Sequence, residues 1–412
     1  MAVIKPFKSI RPREEVAARV AALPYDVYNR REALAEVRKE PLSFLAIDRA
    51  ETQFDDSVGT YDERVYEKAR ELLRMREQDG TFLKEETPCY YIYELVMDGR
   101  VQTGIVACAS IDDYENDIIR KHEKTREDKE MDRIHHVDRC NAQTGPIFLA
   151  YRQQKALSDL VMKTKIETPI YQFMAEDGVR HTVWRISETE TLQRIEKAFA
   201  KVDHIYIADG HHRAASAVKV GLKRRRENPG YDGREEFNYF LSVLFPDSEL
   251  TILPYNRAVK DLNGYTKEQF LERVAEHFYI KERGKEAIAP ASKKTFGMYL
   301  ESSWYELILK EDALCSNDPV DCLDVAVLQN YLLQPVLGIK DPRVDKRIEF
   351  IGGIRGLREL EKRVASDMAV AFSMYPTTIQ ELFAVSDEGK LMPPKSTWFE
   401  PKLRSGLFIH EI

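Results

Sequence analysis

One stretch constrains this chain more than any other: His204-Ile-Tyr-Ile-Ala-Asp-Gly-His-His-Arg-Ala-Ala-Ser216. Residues His204 to Ala208 read as a buried strand and Asp209-Gly210 as a turn. The Ala, Ser and Val positions that follow read as a helix to Val220, which Gly221 is expected to stop. His211, His212 and Arg213 then lie in the first turn of that helix. The leading N–H groups of a helix lack intrahelical partners and its dipole is positive there, so the expected occupant is an oxyanion, phosphate above all. The plainer reading is that Asp209 only caps the helix and both histidines face solvent.

Length and charge narrow the remaining classes. At 412 residues, against about 100–200 per domain, two or three packed units are expected. Lys and Arg (62) against Asp and Glu (69) leave a net charge of −7, which disfavours nucleic acid as a partner of the whole chain. The one basic run, Lys223 to Arg226, reads as a solvated helix end, where cations suit the dipole. Cys89, Cys108, Cys140, Cys315 and Cys322 form no C-x-x-C pair and Met1 to Pro12 has no apolar core, so reduced thiols in a cytoplasmic protein are expected. No apolar run approaches the roughly 20 residues that cross a bilayer, and no membrane role is expected.

The pattern along the chain predicts an α+β fold of mixed, mostly antiparallel sheets with helices. Helices are predicted at Glu14–Ala22, Tyr61–Gln78, Thr189–Ala200, Lys267–His277, Leu323–Leu333 and Leu357–Ala365. Hairpins are predicted at Cys89–Ala109 about Asp98-Gly99, at Pro169–Ile186 about Glu176-Asp177-Gly178, and at Phe237–Val259 about Pro246-Asp247. The expected division is a catalytic region, 1–262, and a C-terminal α+β region, 263–412, that could complete the site.

A second chemical cluster runs from Arg120 to Arg126 and on to Arg133 and His135-His136. If helical, it puts His122, Arg126 and Arg133 on one face with Glu123 beside them, cations for a phosphorylated substrate next to a general base. The alternative is a solvated, charge-laced helix. Arg126 stands where a second zinc-binding histidine would be needed, so no His-Glu-x-x-His motif exists. A metal shared by His135, His136, His211 and His212 would need adjacent side chains that diverge. Asn256-Arg257 at a strand end, and Lys395-Ser396-Thr397 after Pro393-Pro394, could line a cleft; the latter lacks the glycines of a Walker A loop.

Five segments, Leu23-Pro-Tyr-Asp-Val27, His122-Glu123, Asp209-Gly-His-His-Arg213, Leu253-Pro-Tyr-Asn-Arg257 and Met392-Pro-Pro-Lys-Ser-Thr397 with Pro401-Lys402, together resemble a bacterial and archaeal family known only as domain of unknown function ten-fifteen. The central strand-turn-helix also resembles the phosphate-binding box of the ParB and sulfiredoxin superfamily, in the spelling of its archaeal free-serine kinases. A sulfiredoxin would need a cysteine where His211 stands, and ParB proteins read Gly-Glu-Arg-Arg. The resemblance implies a ParB/sulfiredoxin-like core and a kinase acting on a small hydroxyl metabolite such as free serine, with ATP or ADP and Mg²⁺. Gly210, His211, His212 and Arg213 would bind phosphate, with Glu123, Asp209 and His212 catalytic and Glu123 the base. Asp26, His122, Arg126, Asn256, Arg257, Lys395, Ser396 and Thr397 would surround the substrate. The rival expectation is a nucleotide-binding regulatory protein without phosphotransfer; the sequence leaves the metal ligands and an oligomer open.

Overall fold

The computed structural model describes residues 1–311 and 317–412; Cys315 lies outside them. The chain forms two compact units, Met1–Leu250 with Pro401–Ile412, and Thr251–Glu400. This differs from a cut after residue 262. Strand Tyr255–Val259 belongs wholly to the second unit, and the last residues of the chain return to the first: Ser405 bonds Ala22 through both backbone groups, and His410–Glu411 pairs with Ala142–Gln143.

The first unit is built on a nine-stranded sheet in the order Ile119–Arg120, Ile205–Asp209, Ile147–Tyr151, Tyr239–Pro246, Arg100–Ser110, Tyr90–Met97, Arg180–Ile186, Tyr171–Met174, with Ile4–Lys5 pairing off Arg100–Ser110. Two neighbour pairs are parallel, those of Ile205–Asp209 with Ile119–Arg120 and of Tyr239–Pro246 with Ile147–Tyr151. The others are antiparallel, as the α+β reading expects. The first two hairpins form as predicted: Asp98 and Gly99 take φ of 52° and 77°, the left-handed pair that a two-residue turn between twisted strands requires. The third does not form. Tyr239–Pro246 pairs with Arg100–Ser110 and Ile147–Tyr151, whereas Tyr255–Val259 joins a separate sheet. Local alternation identified two strands correctly but could not say which edges they meet.

The helix after Asp209 runs from His211 to Glu227 and passes straight through Gly221. A Cβ at Gly221 would sit 2.4 Å from the Phe237 carbonyl oxygen and 2.9 Å from Ile111 Cδ1. This glycine is there for close packing, not for termination. On the inner face Ala214, Ala217 and Val218 join a buried core with Ile92, Leu149 and Ile207. Gly221→Ala should therefore destabilise the protein by about 2 kcal/mol, the clash with a backbone oxygen outweighing roughly 1 kcal/mol of helix propensity. A thermal melt lowered by about 4–8 °C is the expected readout; an unchanged or raised Tm would contradict this packing.

The second unit is a six-stranded antiparallel sheet, ordered Phe278–Gly284, Ser303–Leu309, Thr295–Leu300, Val370–Ser373, Tyr255–Val259, Ile348–Gly352. Helix Leu357–Ser366 covers Ala258, Trp304, Ile351 and Ala371 through Leu360. The helix predicted near Leu323 spans Asp324–Leu328 and continues as a π-turn through Gln329–Leu333. Cys89, Cys108 and Cys140 are free thiols. Among the described residues no helix is long and apolar enough to cross a membrane.

Candidate functional site

Gly210 begins the long helix in the left-handed conformation, φ 94°, without a side-chain cap. The N-cap position thus falls on Gly210, one residue after the Asp209 that the plainer reading supposed. Its Oδ2 accepts from Arg213 Nη2 at 3.1 Å, and its Oδ1 lies 3.6 Å from Lys402 Nζ. Arg213 also donates through Nη1 to the Pro146 carbonyl at 2.5 Å. Two arms of Arg213 thus brace the strand-to-helix turn. The amides of Gly210 to Arg213 lie at this turn, at the positive end of a helix of 17 residues.

The histidines are not solvent-facing either. His211 is buried, and its ring meets that of His122 edge-on, centroids 4.4 Å apart at 85°. His122 is buried, and neither of its ring nitrogens makes a hydrogen bond of good geometry. Burial pushes its pKa down to about 4, against the pull of the Asp209 carboxylate and a weaker one from the Ile207 backbone. Burial likewise drives His211 well below the usual imidazole range, with His122 adding to the effect. Both are neutral at physiological pH. Glu123, 43% exposed, places Oε2 3.9 Å from His211 Nδ1. His212 accepts the Arg126 backbone N–H on Nε2 at 3.0 Å, so that nitrogen cannot also serve as a base; it ties the 121–126 loop to the helix.

The helix expected to carry His122, Arg126 and Arg133 on one face begins only at Glu127. His122 and Glu123 instead follow the short strand Ile119–Arg120, which pairs in parallel with Ile205–Tyr206 and so delivers them beside Asp209 and His211. The guanidinium of Arg126 turns outward in a two-pronged contact with Asp128. Arg133 is buried, bonded to Asp132, and lies 4.0 Å over the Tyr25 ring. The four histidines weighed as metal ligands do not gather: His135 stacks on Tyr66, and His136 reaches the Ile47 carbonyl at 3.3 Å. Among the described residues the one group able to hold a metal is His122, Glu123 and His211.

A small cavity of about 30 Å³ opens beside Arg213, lined by Tyr25, Asp48, Arg133, Thr144 and Ser405 among others, room for one or two waters. Tyr25 and Arg133 belong to segments the sequence marks out, whereas nothing in the sequence pointed to Asp48, Thr144 or Ser405. Asp26, expected near the substrate, is exposed, while its neighbour Tyr25 faces the cavity. The remaining candidates gather in the second unit. Asn256 Oδ1 accepts the Met374 amide at 3.0 Å, and buried Arg257 donates to the carbonyl of Lys395 at 3.0 Å. Ser396 donates to the Pro393 carbonyl at 2.6 Å, and Lys395 and Thr397 share the same turn. Burial without a carboxylate partner pushes Arg257 down to about 10. Three cations of the basic run are paired within the first unit: Lys223 and Arg224 contact Asp138, and Arg225 grips Asp112.

A family model described as protein of unknown function (DUF1015) matches residues 4–326. The chain belongs to this family. Four of the five segments that suggested the family lie within those residues; the segment about Lys395 lies beyond them. No match was found among curated proteins. Solved structures similar to this DUF1015 chain include SbnI with a C-terminal truncation from Staphylococcus aureus, 12% identical with a TM-score of 0.38, covering 73% of this chain and 85% of that one. A free serine kinase in complex with AMP is 15% identical with a TM-score of 0.36, covering 73% and 91%. A conserved hypothetical protein from Pyrococcus furiosus is 16% identical with a TM-score of 0.35, covering 75% and 95%.

Proposed function

We propose that this protein is a nucleotide-dependent phosphotransferase that moves a phosphoryl group from ATP or ADP to the hydroxyl of a small metabolite. The observation that carries the reading is the arrangement at the start of helix His211–Glu227: a left-handed Gly210 opens the helix, and the Glu123 carboxylate, 43% exposed, lies 3.9 Å from His211 Nδ1. Terminal phosphates sit on the amides of Gly210 to Arg213, and Lys402 and Arg213 supply positive charge beside them. Glu123 takes the proton from the acceptor hydroxyl as its oxygen attacks phosphorus. The bond to the departing phosphate breaks, and the nucleotide leaves one phosphate shorter. Catalysis of this kind rests on positioning and charge. Mg²⁺ bound with the nucleotide would neutralise phosphate charge, and the partly exposed Asp209 offers the oxygen donor that a hard cation prefers.

Free serine is the first acceptor to test, on the shared Asp-Gly-His-His-Arg order. Incubation with ATP or ADP, Mg²⁺ and a panel of small hydroxy metabolites, followed by ³¹P NMR, should show a new phosphomonoester signal. Nucleotide binding without any such signal would favour a regulatory binding protein. Arg213→Ala should weaken nucleotide binding at least tenfold by calorimetry, because it leaves Asp209 with less counter-charge where phosphate must sit. Equal affinity would place the nucleotide elsewhere.

A further inference from the structure

We infer that His122, Glu123 and His211 form a binding site for one transition-metal ion of the zinc class. Each side chain offers one donor atom, and these atoms lie within 4.8 Å of one another. Metal bonds of about 2.0–2.2 Å put tetrahedral donors roughly 3.3 Å apart, so the three must close by an ångström or so. Glu123, 43% exposed against 4% for His211, is the arm able to move. The two imidazoles are already set by burial and by their edge-on contact.

The independent observation is His122 itself. Its imidazole is buried, yet neither nitrogen finds a well-formed hydrogen bond. Buried polar atoms are nearly always satisfied, and those that are not point to a missing ion or ligand. His211 is only loosely held as well: the His122 amide reaches its Nε2 at 3.5 Å, and its Nδ1 faces Glu123 at 3.9 Å, beyond hydrogen-bond length. Two neutral imidazoles and one carboxylate form a donor set that suits Zn²⁺, Co²⁺, Mn²⁺ or Fe²⁺ better than Mg²⁺ or Ca²⁺, which take oxygen. Three protein ligands leave a coordination position open toward the exposed side of Glu123 for water or an oxyanion.

Ion binding does not depend on the phosphotransfer reading. One consequence does rest on it: a carboxylate held by the ion cannot serve as the base, so zinc would inhibit transfer. The test uses the full chain, freed of metal by chelation and titrated with Zn²⁺ or Co²⁺ alone, without nucleotide. One equivalent should bind, with Co²⁺ giving the intense visible absorption of a low-coordinate site. His122→Leu, which removes no well-formed hydrogen bond, should weaken binding by at least 100-fold and Glu123→Gln by at least tenfold, with metal-free melting little changed. If the wild type binds neither ion below millimolar concentration, or both variants bind as the wild type does, the inference is overturned. Because no nucleotide is present, that result leaves the phosphotransferase reading standing, and loss of turnover alone leaves the metal site standing.

Discussion

Glu123→Gln should lower the phosphotransfer rate by about 10²- to 10⁴-fold while nucleotide affinity stays within twofold of the wild type. A positioned general base contributes about that much, and the amide keeps the shape of the side chain while losing its ability to take a proton. The separation between rate and affinity carries the information. In the proposed site the phosphates rest on the amides of Gly210 to Arg213, whereas Glu123 belongs to the 121–126 loop, with Oε2 3.9 Å from His211 Nδ1. A variant whose rate is unchanged would remove Glu123 as the base. One that lost nucleotide affinity in proportion to rate would make Glu123 part of the nucleotide site instead.

The second large effect is on stability in acid. His181 is buried between Tyr93, whose hydroxyl lies 2.8 Å from Nδ1, and Arg404, which donates to Nε2 at 3.3 Å; Asp177 stands beyond that arginine. Burial, helped by Arg404, pushes His181 down to about 3. Its folded pKa thus lies below the unfolded value near 6.5. The unfolded chain takes up the proton first as pH falls, so stability is full above about 6.5 and is lost progressively below it. At pH 4.5 this residue alone lowers stability by roughly 3 kcal/mol by that linkage. His136, facing Asp48, Asp132 and Arg133, and His410, facing Glu236 and Lys5, are lowered mainly by burial and act with the same sign. Against a typical total of about 5–15 kcal/mol, denaturant midpoints should fall steeply between pH 6.5 and 4.5. His181→Gln should flatten that slope. A stability flat across the interval would contradict neutral burial of these rings.

How much of this was legible before the structure depended on whether the deciding contact was local. The strand-turn-helix from His204 to Val220 was readable because a short apolar run, an Asp-Gly turn and a run of Ala, Ser and Val lie in one contiguous segment. The two hairpins that formed carried their own turns. Gly221 was misread because its reason is nonlocal, the nearness of the Phe237 carbonyl and Ile111. His122 and Glu123 were expected on a helical face, and the structure instead has them follow a short strand beside the Asp209–Arg213 turn. What joins them is the parallel pairing of Ile119–Arg120 with Ile205–Tyr206, and two-residue strands leave almost no periodicity to read. The cavity beside Arg213 was only partly legible: Tyr25 and Arg133 lie in segments the sequence marks out, whereas Asp48, Thr144 and Ser405 come from separate segments with no motif of their own.

The most direct test of the account is a backbone amide NMR titration of the protein with ADP, with the residues around the central turn assigned. Binding at the start of helix His211–Glu227 predicts the largest shifts at the amides of Gly210, His211, His212 and Arg213, saturating together with the Arg126 amide that His212 holds. Unmoved amides there, while ADP binds elsewhere or not at all, would contradict it.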